Sequence, residues 1–123
     1  MEKILLIEDE AALQSALSGA LGDAGYEVVS ALDGEIGLER AKKESPSLIL
    51  LDLILPKKDG FEVLRELKAD PGTAGIPTII LSNLERSADV EQAIAHGATT
   101  YLVKTNYNLG EIVAKVREIL GEK

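Results

Sequence analysis

Five polar residues stand where short apolar runs end. Glu8 and Asp9 follow Ile4-Leu5-Leu6-Ile7, Asp52 follows Leu48-Ile49-Leu50-Leu51, Ser82 follows the run that closes at Leu81, and Lys104 follows Thr99–Val103. Three carboxylates brought to one place repel one another unless a cation or protons neutralise them. A cluster of oxygen donors suits a hard divalent cation, Mg²⁺ (or Mn²⁺), and not zinc. The chain has no cysteine, and its one histidine, His96, sits beside Gly97 at a helix end, where it reads as a surface residue. A carboxylate beside such a cation can act as a nucleophile toward phosphorus and form an acyl phosphate. The cation and the Lys104 ammonium would then stabilise charge on the transferring oxygens, with Ser82 donating a hydrogen bond to one of them.

Each residue also has a plainer role. Asp9 could cap the first helix, Ser82 could cap the fourth, Glu8 could favour a helix dipole, and Asp52 and Lys104 could be solvated strand ends. What favours chemistry is that all five follow apolar runs in the same way, so one fold could bring them to one rim.

The elements that must position them alternate strictly. The run Ile4–Ile7 reads as a strand buried on both faces. Leu13, Leu17, Ala20, Leu21 and Ala24 then recur three or four apart, and Gly25 stops that helix. Tyr26–Ser30 reads as a more polar strand. Asp33 should cap the second helix, with Ile36, Leu38, Ala41 and Leu32 on its buried side, and Ser45-Pro46 should end it. Leu48–Leu51 is a third strand, and Pro56 and Gly60 bracket a loop. Phe61, Val63, Leu64 and Leu67 mark a third helix ending before Asp70-Pro71-Gly72. Ile76–Leu81 is a fourth strand. Val90, Ala93 and Ile94 mark a fourth helix stopped by Gly97, and Thr99–Val103 is a fifth strand. Leu109, Ile112, Val113, Val116, Ile119 and Leu120 form a last amphipathic helix.

Five strand–helix units imply an α/β, doubly wound, five-stranded parallel sheet with five helices. Strands one, three and four are apolar throughout and should be central, whereas two and five carry polar residues and should be edges. The flavodoxin-like order 2-1-3-4-5 has those edges, and its ligands sit outside the carboxyl ends of the strands near the switch point between strands one and three. The 123 residues fit a single domain, 1–123. Apolar residues make up 46% of the chain, which argues against disorder. No apolar stretch approaches the roughly 20 residues of a membrane helix, and no targeting signal is visible, so a cytoplasmic protein without membrane contact is expected. The formal net charge of −8 disfavours direct nucleic-acid binding, although acidic solubility alone accounts for it.

Taken together, Ile7-Glu8-Asp9-Glu10, Leu51-Asp52-Leu53-Ile54-Leu55-Pro56 through Asp59-Gly60, Ser82, and Tyr101-Leu102-Val103-Lys104 resemble the receiver domain of two-component response regulators. The resemblance covers the whole chain, leaving no room for an output domain. It implies a phosphoacceptor switch, taking a phosphoryl group from a histidine kinase or phosphotransfer protein in a phosphorelay. Such a switch is not an enzyme beyond its own phosphorylation and dephosphorylation. The resemblance implies that Asp52 is the acceptor. Asp9, Asp52 and the backbone carbonyl of Ile54 would be ligands of Mg²⁺, with Glu8 acting through water. Ser82 would close on the phosphoryl group, Lys104 would pair with one of its oxygens, and Tyr101 would move inward on activation. The surface of helix 4, strand 5 and helix 5 would then change for a downstream protein, in a monomer or a phosphorylation-dependent homodimer. Ile54 and Leu84 occupy the positions that flank the attacking water in receivers.

The pattern is broken at two places. Asn83 stands where a small residue is usual, and Thr105 stands where proline usually follows the lysine. A cis bond before a non-proline residue costs about 2.5–4 kcal/mol, so the Lys104–Thr105 bond is expected to be trans, with Asn108 capping the last helix.

Three other readings compete. A magnesium phosphohydrolase would ordinarily carry an Asp-x-Asp pair after one strand, and neither Glu8-Asp9-Glu10 nor Asp52-Leu53-Ile54 supplies it. A flavin carrier needs a Ser-, Thr- or Gly-rich phosphate cradle after the first strand and aromatic stacking partners, and the chain has no tryptophan, three tyrosines and one phenylalanine. A pseudo-receiver that binds partners without phosphorylation is disfavoured because every acceptor residue is present.

Overall fold

The computed structural model describes residues 2–84 and 86–121. The strands are β1 (Lys3–Ile7), β2 (Glu27–Ala31), β3 (Leu48–Leu51), β4 (Thr78–Ser82) and β5 (Thr100–Val103). Between and after them lie α1 (Ala11–Asp23), α2 (Gly34–Glu44), α3 (Gly60–Ala69), α4 (Ser87–Ala95) and α5 (Leu109–Ile119). A 3₁₀ turn, Lys104–Asn106, separates β5 from α5. The strands form one parallel sheet in the order β2-β1-β3-β4-β5.

The alternation of side chains along each strand builds two cores. Leu5, Ile7, Ile49, Leu51 and Ile80 face α2, α3 and α4, where they meet Leu38, Val63, Leu64, Leu67 and Ala93. Ile4, Leu6, Leu48, Leu50, Ile79 and Leu81 face α1 and α5, where they meet Leu17, Leu21, Ile112 and Val116. With helices on both faces, the central strands have no wet side: every residue of β3 and β4 is buried, while β2 and β5 at the edges are partly exposed.

The caps explain where helices begin. The Asp33 side chain accepts from Ile36 N–H at 2.8 Å, Asp59 caps α3, and Asn108 forms a capping box with Glu111 at the start of α5. Neither Asp9 nor Ser82 serves as a cap: the N-cap residues of α1 and α4 are Glu10 and Arg86, neither with a side-chain cap bond.

One helix face differs from expectation. Leu32 is 52% and Ile36 40% exposed, so neither is on the buried side of α2. Gly34 and Gly37 take the inner positions instead. A Cβ at Gly37 would lie 2.6 Å from Ile7 Cδ1, so the missing side chain is what lets α2 sit down on β1. Ile94 is likewise turned outward. β4 starts at Thr78 rather than Ile76. The Lys104–Thr105 bond is trans, as no described residue has a cis peptide. No helix among the described residues is long and apolar enough to cross a membrane.

Candidate functional site

Asp52 and Glu8 are fixed by the sheet itself. Asp52 N–H donates to Ile7 O and Glu8 N–H to Ala31 O, each at 3.0 Å, so the backbone pairing of the strands runs on through both acids. Carboxylate oxygens of Glu8, Asp9 and Asp52 lie within 4.8 Å of one another. Glu8 and Asp52 are buried, while Asp9 is open to solvent. Gly60, the first residue of α3, rests directly on the Asp52 backbone: a Cβ there would lie 2.3 Å from Asp52 O.

Lys104 reaches over the sheet from the end of β5. Its Nζ lies 3.0 Å from Asp52 Oδ2 and 2.8 Å from Glu8 Oε1. The other Asp52 oxygen, Oδ1, accepts from Ile54 N–H at 3.2 Å. The second Glu8 oxygen, Oε2, accepts from Glu10 N–H at 3.0 Å. Both Glu8 oxygens thus have partners within the protein, and a Glu8 oxygen also belongs to the cluster of acids that could hold a cation. Burial pushes the Glu8 carboxyl above the ordinary carboxylate range, against the hydrogen bonds from Lys104 and Glu10 N–H. Burial opposes the charge on Lys104 too, but the hydrogen bonds to Glu8 and Asp52 outweigh it and hold the ammonium above its ordinary value.

A cavity of about 400 Å³ opens at this rim, lined by Asp9, Glu10, Asp52, Ile54, Asn83 and Lys104. Ser82, next in sequence to the lining residue Asn83, is fully buried. Its Oγ accepts from Leu84 N–H at 3.3 Å, and the Tyr101 hydroxyl donates to Leu84 O at 2.8 Å. The β4–α4 loop is thus tied to both Ser82 and Tyr101 through one residue. Burial raises the Tyr101 phenol above its usual range, so it is a donor throughout the neutral range. His96 is placed apart, in a separate groove with Phe61 and Arg65 between α3 and α4.

The residues singled out from sequence therefore converge: Glu8, Asp9, Asp52 and Lys104 are in mutual reach, Ile54 lines the same cavity, and Ser82 and Tyr101 meet the loop beside it. Two features were missed. One is the Glu8–Lys104 ion pair, whose only sequence signal is a buried-looking acid and a lysine at two strand ends. The other is Leu84, whose backbone joins Ser82 to Tyr101 and carries no sequence signal at all.

The response regulator receiver domain family matches residues 4–117. The transcriptional regulator RpaA of Synechocystis is 42% identical over 120 residues, which are 98% of this chain and 49% of that protein. The chain spans about half the length of the curated relatives it first matches. Among solved structures, the Mn(2+)-bound form of response regulator Rcp1 is 33% identical with a TM-score of 0.82, covering 97% of this chain and 91% of that one. Chemotaxis protein CheY4 of Vibrio cholerae is 28% identical with a TM-score of 0.89, covering 97% and 98%. The chain belongs to the response regulator receiver domains, the phosphoacceptor switches of two-component signalling.

Proposed function

We propose that Asp52 is the phosphoacceptor and that its partner is a histidine kinase or phosphotransfer protein in the cytoplasm. An Asp52 carboxylate oxygen attacks the phosphorus of a phosphohistidine; the new O–P bond forms as the P–N bond breaks, and the imidazole leaves with the electron pair. The observation that carries this reading is the placement of Asp52: nearly buried, within 4.8 Å of two further acids and 3.0 Å from an ammonium. Lys104 is already within hydrogen-bond reach of Asp52, so only a small shift brings it to an oxygen of the incoming group. Ser82 turns its hydroxyl from the Leu84 amide to another of those oxygens.

The donor set fits Mg²⁺ (or Mn²⁺): Asp9 and Asp52 would supply anionic oxygen and the Ile54 carbonyl would be a third ligand, and the described residues lining the cavity include no histidine or cysteine. A bound cation there would neutralise charge on the phosphoryl oxygens. The Mn(2+)-bound relative supports the same chemistry. Chemistry beyond self-phosphorylation and self-dephosphorylation is not part of this reading. The downstream partner would read the α4–β5–α5 surface, on a monomer or a phosphorylation-dependent homodimer.

Incubation with acetyl phosphate and Mg²⁺, followed by intact mass, tests it. Wild type should gain one phosphoryl group and Asp52→Asn none; equal labelling would overturn the assignment. Asp9→Ala should weaken Mg²⁺ binding by roughly tenfold or more, since even outer-shell partners of a metal cost that much. Unchanged affinity in a calorimetric titration would place the cation elsewhere.

A further inference from the structure

We propose that Gln14, one turn into α1, is a positioning residue for the cation site: its side-chain amide fixes the peptide that aims Asp9. The inference rests on the reading of Asp9 as a ligand of the cation beside Asp52.

The loop from β1 to α1 begins where the sheet runs out. The last rung between β1 and β2 is Glu8 N–H to Ala31 O at 3.0 Å, and β2 ends there. The Glu8 carbonyl lies beyond that rung, and no backbone N–H among the described residues donates to it. Gln14 supplies the missing donor. Its Nε2 lies 3.1 Å from Glu8 O and 3.3 Å from Ala31 O, so the two N–H groups of one amide bridge the ends of both strands. Its own backbone N–H donates to Glu10 O at 2.9 Å. Gln14 therefore holds the loop on both sides of Asp9, at the carbonyl before it and at the carbonyl after it.

Asp9 depends on that grip. It is exposed, and its carboxylate forms no hydrogen bond or ion pair among the described residues, so its backbone alone decides where it points. The Glu8 carbonyl and the Asp9 N–H are the two ends of one planar peptide, and fixing the first fixes the plane from which Asp9 departs. The N-cap Glu10 makes no side-chain cap bond, so the Gln14 amide is the side chain that joins this loop to α1. An amide does this without adding charge beside a cation.

Calorimetric Mg²⁺ titration and labelling by acetyl phosphate test this on Gln14→Met, Gln14→Arg, Asp9→Ala and the Gln14→Met, Asp9→Ala double variant. Methionine keeps the length of the side chain and removes both donors. Gln14→Met should weaken Mg²⁺ binding by roughly three- to tenfold, below the about 10–100-fold of partners that touch a ligand directly. The Mg²⁺ concentration for half-maximal labelling should rise by the same factor, the loss falling there rather than on the maximal rate. A lowered unfolding midpoint with unchanged Mg²⁺ affinity would make Gln14 a purely structural tie and overturn the proposal. In the double variant the methionine should cost no further affinity beyond Asp9→Ala, within roughly twofold, because it acts through Asp9. Losses that multiply would count equally against it. Gln14→Arg keeps donors for both carbonyls. In roughly 1 M KCl, where screening confines its added charge to about 3 Å, its affinity should stay within roughly threefold of wild type. A loss as large as that of Asp9→Ala would refute the proposal even where the methionine variant does not fold. Unchanged affinity in Asp9→Ala is a different failure: it removes the ligand reading itself, and this inference with it.

Discussion

On the proposed reading of Asp52, Ile54 and Leu84 would govern how long the phosphoryl group lasts. Ile54 is 60% exposed on the rim of the Asp52 cavity, and Leu84 packs partly against the α2–α3–α4 core. Neither can orient a water for attack on phosphorus, so the phosphorylated state should decay slowly for its family. Ile54→Asn supplies an amide at the rim and should speed decay several-fold to roughly tenfold, less than the about 10²–10⁴ of a full general base. Leu84→Glu should act in the same direction, with some loss of packing. Decay of the isolated phosphoprotein, followed by mass, reads both; decay no faster in either would count against this account. The acids and Lys104 were legible in the sequence because each one ends a strand-like run, and strand ends on one sheet edge must share a rim. The Glu8–Lys104 contact was not. β1 and β5 are separated by β3 and β4, and only the length of the lysine stem closes that gap.

Helix starts show which elements serve stability and which serve the site. Asn108 and Glu111 satisfy the first turn of α5 at an exposed position remote from the acids. Asn108→Ala should lower stability by about 1 kcal/mol and leave the labelling rate unchanged. Gly60 is the opposite case. An alanine Cβ there would meet Asp52 O at 2.3 Å and Leu53 Cα at 2.4 Å, both backbone atoms that cannot turn aside. Gly60→Ala should cost about 1–3 kcal/mol by overpacking and also slow phosphorylation, because relief requires α3 or the Asp52 backbone to move. Urea midpoints and labelling rates on the two variants check both halves; an unimpaired labelling rate in Gly60→Ala would contradict the coupling. The order and kind of all the elements followed from periodicity, and Asp33 and Asn108 were readable as caps. Leu38 and Ala41 were read correctly as the inner face of α2, but counting apolar side chains wrongly added Leu32 and Ile36. In fact two glycines lie inside: Gly37 against Ile7 of β1 and Gly34 against the Lys58 backbone before α3, where there is room for no side chain.

At the scale of the molecule, a phosphoryl group on Asp52 has to reach the α4–β5–α5 surface through something with two arrangements. The β4–α4 loop fits that requirement. Ser82 Oγ holds the Leu84 amide and the Tyr101 hydroxyl holds the Leu84 carbonyl, so the loop is tied to the acceptor's neighbour on one side and to β5 on the other. The helix beyond it is lightly secured at its start, since Arg86 makes no side-chain cap bond and the buried Asp89 is paired, among the described residues, to Arg86, whose side chain is largely exposed. On the proposed reading, Ser82 would leave the Leu84 amide for a phosphoryl oxygen, which would break one of the two ties on Leu84 and free Tyr101 to follow the loop. Such a shift needs a differential affinity for the two arrangements and no new contact at the far surface; moving a 1:99 equilibrium to 99:1 takes about 5.5 kcal/mol, within reach of a few charge-assisted hydrogen bonds at about 1.5–3 kcal/mol each. Amide exchange with and without beryllofluoride in the presence of Mg²⁺ should therefore differ most between Asn83 and Tyr107, with smaller changes in α5. Ser82→Ala should abolish most of that difference while still allowing Asp52 to be labelled, because the hydroxyl is the part that carries the signal to the loop. Differences confined to α2 and α3, or an undiminished response in Ser82→Ala, would mean that the signal leaves Asp52 by another route.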